Sequence, residues 1–126
     1  MELMMAPGAP APKGPYSHAA AFGDLVVVTA QTGTDPATGL LREGAEAQAR
    51  QAVANLGAVL RAAGCAPQTV LRLGLALVDL AYLPALNGAL AGLLGAHRPP
   101  RATAQVIALP GGARLAIEAM AIREAK

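Results

Sequence analysis

The sequence predicts an α+β protein, a sheet with two helices packed on one of its faces, and three observations carry that expectation. Short apolar stretches rich in β-branched residues alternate with two longer stretches of helical period. The order of elements, after an opening hairpin, is strand, helix, strand, helix, strand. The chain has 126 residues and no composition break in its middle, so one core is expected over residues 1–126.

Residues 1–15 contain four prolines, Pro7, Pro10, Pro12 and Pro15, with glycines at 8 and 14. Proline removes a backbone donor and fixes φ, so this segment reads as an extended arm rather than a helix or central strand. From Ser17 to Phe22 the residues are small and apolar, Gly23-Asp24 signals a turn, and Leu25-Val26-Val27-Val28-Thr29-Ala30-Gln31-Thr32 follows. Two strands joined by a tight turn are expected. The unbroken apolar run in the second predicts cover on both faces.

Asp35-Pro36-Ala37-Thr38-Gly39 is a turn by its own chemistry. Glu43 to Ala63 reads as the first helix. Ala49, Val53, Leu56, Leu60 and Ala63 recur at helical spacing, while Arg50, Gln51 and Arg61 fall off that stripe. Glu43 and Glu46 suit the positive end of the helix dipole, Arg61 the negative end, and Gly64 the residue just past it. Val70 to Asp79 reads as a buried strand, with Arg72 the one charge inside its apolar run. Pro84 fits the first turn of a second helix, which Leu83, Leu86, Leu90 and Leu93 continue to Gly95.

The last segment reads as a hairpin. A strand opening on Arg101 would turn at Pro110-Gly111-Gly112-Ala113 and return through Leu115 to Ile122. Pairing Leu109 with Arg114 sets Gln105 against Glu118 and Arg101 against Ile122, and places Arg101, Thr103, Gln105 and Glu118 on one face. Arg101 and Glu118 would then be about 13 Å apart at ~3.3 Å per residue, a gap suited to a small ligand between them.

Composition narrows the function. Hydrophobic residues make up 54% and charged residues 14%, more apolar than an ordinary soluble monomer. With both helices on one face of the sheet, the other face needs its own cover, and another subunit is the expected source. No apolar run approaches the ~20 residues that cross a bilayer. The first residues carry an acid, Glu2, and are soon broken by prolines, unlike a secretory signal, so a cytoplasmic location is expected. Cys65 is alone, and His18 and His97 are far apart, so neither a disulfide framework nor a metal site is expected. The arginines are scattered and Tyr16, Phe22 and Tyr82 are the only aromatics, which argues against nucleic acid.

Taken together, Gly14-Pro15-Tyr16-Ser17, Thr29-Ala30-Gln31-Thr32-Gly33, Asp35-Pro36-Ala37-Thr38-Gly39, Ala47-Gln48-Ala49-Arg50-Gln51 with Asn55-Leu56, Ala62-Ala63-Gly64, Val78-Asp79-Leu80, Pro100-Arg101 and Ile117-Glu118-Ala119 resemble, in order and spacing, the RidA (YjgF) family. The resemblance covers nearly the whole chain. It implies a chorismate-mutase-like fold assembled as a homotrimer with pockets between subunits, and hydrolysis of reactive 2-imino or enamino acids to 2-oxo acids and ammonium without a cofactor. Carried onto this sequence, it makes Arg101 the carboxylate-binding guanidinium and Glu118 the group that deprotonates water. Tyr16, Thr29 and the backbone around Thr103 would contact the substrate.

Those roles agree with the chemistry of the side chains, since a guanidinium offers a planar fork to a carboxylate and a carboxylate can shuttle a proton. The bland alternatives are a surface charge at Arg101, a structural carboxylate at Glu118 paired with Arg114 or Arg123, and an arm-packing Tyr16. Three positions depart from the family pattern: Ala30 replaces a usual glycine, Thr103 a common cysteine, and Thr69 an aspartate expected at a helix start. Two other function classes compete. One is a non-catalytic trimer that senses small carboxylates or acts as a holdase, and the other is a ribonuclease-type translation inhibitor.

Overall fold

The computed structural model describes residues 1–124. Its elements in chain order are β1 (Glu2–Met4), β2 (Ala19–Phe22), β3 (Leu25–Thr32), α1 (Ala45–Ala62), β4 (Cys65–Leu77), α2 (Leu83–Leu94), β5 (Arg101–Gln105) and β6 (Leu115–Arg123). Six strands form one sheet in the order β1-β2-β3-β6-β4-β5. This is the α+β arrangement expected, with α1 packed on β3, β6 and β4, and α2 packed on α1 and β4.

The periodicities explain the layering. In α1 the stripe of Ala49, Val53, Leu56, Leu60 and Ala63 is buried, whereas Arg50 and Arg61 are exposed. Leu56 and Leu60 are fully covered, and truncating either to alanine in such a core costs about 2–5 kcal/mol. Helix α1 stops as its sequence dictates: the Ala63 and Gly64 amides return to carbonyls of the last turn, and Gly64 takes φ 78°, open without strain only to glycine. Leu73, Leu75 and Leu77 of β4 face the helices and are buried.

The extended arm begins as an edge strand, since β1 pairs antiparallel with β2. Beyond it, buried His18 holds the arm from both sides. Its Nδ1 accepts the Ala6 N–H at 2.8 Å, and its Nε2 lies 2.7 Å from the Pro10 carbonyl. A carbonyl cannot donate, so Nε2 carries the proton.

The C-terminal hairpin does not form. β5 pairs with β4 and runs parallel to it, while β6 lies between β3 and β4 and is antiparallel to both. The reason is the crossover: β4, α2 and β5 make a strand–helix–strand unit whose return strand is parallel to the first. Gly111 and Gly112 do turn the chain, both at positive φ, but in a connection that spans the width of β4. Thr69 also differs from expectation. It lies in β4, not at a helix start, and its hydroxyl donates to the Ala66 carbonyl.

The sheet face away from the helices is bare. Leu25 and Val27 of β3 are 36% and 44% exposed, and Ile122 of β6, paired with Leu25, is 37% exposed. Within one chain, therefore, β3 is covered on one face only, not on both as its apolar run suggested.

Candidate active site

Strand register places the candidate residues. β4 is the reference strand: Leu73 is paired with Arg101 of β5 and Ala119 of β6, and the next residue, Gly74, with Ala102 and Glu118. Residues paired across strands share a face, and successive residues alternate. Arg101 therefore belongs to the helix-side face and Glu118 to the bare face, contrary to the single face expected from a hairpin. Thr103, paired with Leu75, falls on the Arg101 side, and so does Gln105, paired with Leu77.

Three hollows follow from this arrangement. Glu118 lines one of about 300 Å³ with Arg72 and Leu109, over a floor of Gly74, Ala76, Ala102 and Ala104 whose side chains are no larger than methyl. Tyr16 and Thr29 line a second, of about 520 Å³, with Lys13, His18, Gln31 and Thr34. The two share Ala30, Leu109 and Ala116 as a common wall. Arg101 lines a third, of about 440 Å³, between α2 and the start of β5, with Asn87, Leu90, Leu94, His97 and Arg98. Glu118, Tyr16 and Thr29 thus come to adjoining spaces, and Arg101 with Thr103 does not join them within one chain.

A bulge in β3 shapes the shared wall. Val28 pairs with Ala119 and Gln31 with Ile117, so β3 takes three steps where β6 takes two, over Thr29 and Ala30. Such a bulge re-aims side chains locally, and Ala30 is turned outward into both hollows. Tyr16 is half exposed, with its hydroxyl 3.4 Å from the Lys13 amide, and the Lys13 ammonium donates to the Gly39 carbonyl at 2.8 Å.

The charged groups differ in their partners. Glu118 Oε1 lies 3.8 Å from Arg72 Nη1, so its ion-pair partner is Arg72 and neither Arg114 nor Arg123. Arg114 instead donates to the Tyr82 hydroxyl, and Arg123 pairs with Glu2 at 2.9 Å. Arg101 is exposed and forms no salt bridge among the described residues. Arg72 and Gly74 escaped the sequence reading of the site, although a signal existed: Arg72 is the one charge in the apolar run of β4. Among the described residues no three His, Cys, Asp or Glu side chains gather as a metal site, and no helix is long and apolar enough to cross a membrane.

The fold and the hollow together define a class: a six-stranded α+β chain with a carboxylate over alanine and glycine on an uncovered sheet face. The profile of the family described as Endoribonuclease L-PSP matches residues 7–123, and the chain belongs to this family, the YjgF/RidA family. A goat (Capra hircus) relative named 2-iminobutanoate/2-iminopropanoate deaminase is 39% identical over 116 residues, 91% of this chain and 85% of its own. The crystal structure of RidA from an Antarctic Psychrobacter has 37% identity and a TM-score of 0.93, covering 97% of this chain and 99% of that one. E. coli TdcF, solved with bound serine, has 28% identity and a TM-score of 0.92, covering 98% of this chain and all (100%) of that one.

Proposed function

We propose that this protein is a cofactor-independent deaminase that hydrolyses 2-imino acids of the 2-iminobutanoate and 2-iminopropanoate type, with their enamine tautomers, to 2-oxo acids and ammonium. The observation that supports it best is Glu118, half exposed on a floor of small residues, in a chain whose relatives carry that deaminase name. Glu118 takes a proton from water as the water oxygen bonds to the imine carbon. The C=N π electrons move to nitrogen, and Glu118 hands the water proton to that nitrogen to give the carbinolamine. Glu118 then takes the carbinolamine hydroxyl proton and passes it to the amine nitrogen, the C=O bond forms as the C–N bond breaks, and ammonia leaves to become ammonium in water. Arg101 binds the substrate carboxylate through its two-pronged guanidinium. Tyr16 and Thr29 line the approach, and the backbone at Thr103 contacts the substrate.

The opposite faces of Arg101 and Glu118 favour a site shared between copies. In a cyclic trimer the bare face of one copy, with Glu118, Tyr16 and Thr29, meets the β5 edge of the next, which brings Arg101 and Thr103. The exposed Leu25, Val27 and Ile122 would be covered by the same contact.

The test is competition between hydrolysis and semicarbazone formation, with an amino-acid oxidase generating the imine. Wild type is expected to suppress the semicarbazone, and Arg101→Ala and Glu118→Gln to lose that effect. A wild type without effect on any imine would overturn the reading. If 2-oxo acids then still bound, the pocket would be a carboxylate sensor's.

A further inference from the structure

We propose that Arg72 and Gly74 are positioning residues that seat the Glu118 carboxylate, brought to it by a bulge in β4. The inference rests on the deaminase reading of Glu118 and adds the means by which that side chain is held.

The bulge comes first. Val70 pairs with Ala121 and Arg72 with Met120, so β4 takes two steps where β6 takes one, and Leu71 is the extra residue. Strict alternation would put Arg72 on the face of Val70, which is 2% exposed beneath the helices. The inserted Leu71 turns Arg72 to the bare face instead. There its neighbour two residues on, Gly74, is directly opposite Glu118, so Arg72 is the diagonal cross-strand neighbour of that carboxylate.

Gly74 then sets how Glu118 lies. A Cβ at residue 74 would stand 2.6 Å from Oε1, 2.7 Å from Cγ and 3.0 Å from Cδ of Glu118. The glutamate therefore lies flat across β4, over the place where any other residue would carry its side chain. Lying flat brings Oε1 to 3.8 Å from Arg72 Nη1. That separation gives ion-pair attraction but is too long for a hydrogen bond. The guanidinium holds the carboxylate in place while leaving its lone pairs for the water it must activate.

The kinetic test uses full-length Arg72→Met and Arg72→Lys. Misplacing a catalytic group by about 1 Å can cost up to about 100-fold in rate, so Arg72→Met is expected to lower kcat at least tenfold with little change in KM. Arg72→Lys, which keeps a cation, recovers most of it. A purely structural role would lower the melting temperature and leave kcat of the folded protein alone. The second test needs no activity: crystal structures of ligand-free Gly74→Ala and Arg72→Met are expected to show the Glu118 carboxylate displaced. Wild-type kcat in Arg72→Met, or an unmoved carboxylate in both structures, overturns the proposal. A wild type inactive on every imine overturns the deaminase reading instead, and the two structures still decide how Glu118 is seated.

Discussion

Arg101 and Glu118 stand on opposite faces of one sheet, because they pair with adjacent residues of the same strand, Leu73 and Gly74. A substrate held by both must lie at a boundary that one chain does not close. The proposed function therefore calls for a division of labour between copies, and that can be measured directly.

Mixing the inactive Arg101→Ala and Glu118→Gln proteins by unfolding and refolding them together should restore deaminase activity. With random assembly into trimers, about one pocket in four receives a native arginine from one neighbour and a native glutamate from the other. Activity near a quarter of wild type is expected after co-refolding, and none after simple mixing if subunits do not exchange. No recovery under either condition would place both residues in one chain's site.

Replacing His18 should loosen the arm. His18→Ala leaves the Ala6 N–H and the Pro10 carbonyl without their partners in a buried setting, at a cost of about 1–3 kcal/mol. A glutamine amide offers both N–H donors and an acceptor oxygen, so His18→Gln should regain part of the loss. Urea denaturation of the three proteins measures this, and equal midpoints would show that the arm contributes nothing.

Gly33 is fixed by what stands over it. A Cβ there would overlap the Gln48 Cα and lie 2.6 Å from the Gln48 carbonyl oxygen, backbone that α1 cannot easily move. Gln48 is itself committed, donating to the Arg42 carbonyl and accepting from the Arg114 N–H. Gly33→Ala should therefore destabilise the fold by at least about 1–3 kcal/mol, read as a lower denaturation midpoint.

Cys65 should respond to alkali. Burial pushes its thiol above the ordinary value of 9.0, partly offset by the nearby Arg123 guanidinium. The folded protein thus keeps the thiol proton where the unfolded chain has lost it. The associated stability is complete below pH 9 and declines as pH rises beyond it. Cys65→Ala should flatten that alkaline decline, and thiol reagents should label the native protein far more slowly than the unfolded one.

Much of this architecture was legible because it is local. The strand Leu25–Thr32, the stripe of α1, the Gly64 stop and the turn into α2 each depend on residues near one another in sequence. The pairing of β5 was not, because a Pro-Gly-Gly turn looks the same whether the flanking strands meet or another strand comes between them. Sequence proximity favoured the hairpin, and the crossover through α2 prevailed. The same error put Arg101 and Glu118 on one face. Arg72 was hidden by the bulge at Leu71, which breaks the alternation that any reading of faces relies on. Tyr16 and Thr29 entered the reading by resemblance, and Glu118 also as the carboxylate of the last strand; all three line adjoining hollows.

The position of β5 at the sheet edge carries one more consequence. All five of its residues are exposed and it has a single neighbour, β4, whereas β6 is paired on both sides. Backbone amides of such an edge exchange with solvent through small local openings, while those of β6 exchange only when much of the sheet comes apart. Arg101 therefore rides on an edge of the sheet, which opens readily, and Glu118 on a strand held from both sides. Any neighbour or ligand that grips Arg101 in the folded sheet should slow hydrogen exchange along Arg101–Gln105, and should also slow the exchange of Leu115–Arg123 that proceeds through opening of the sheet.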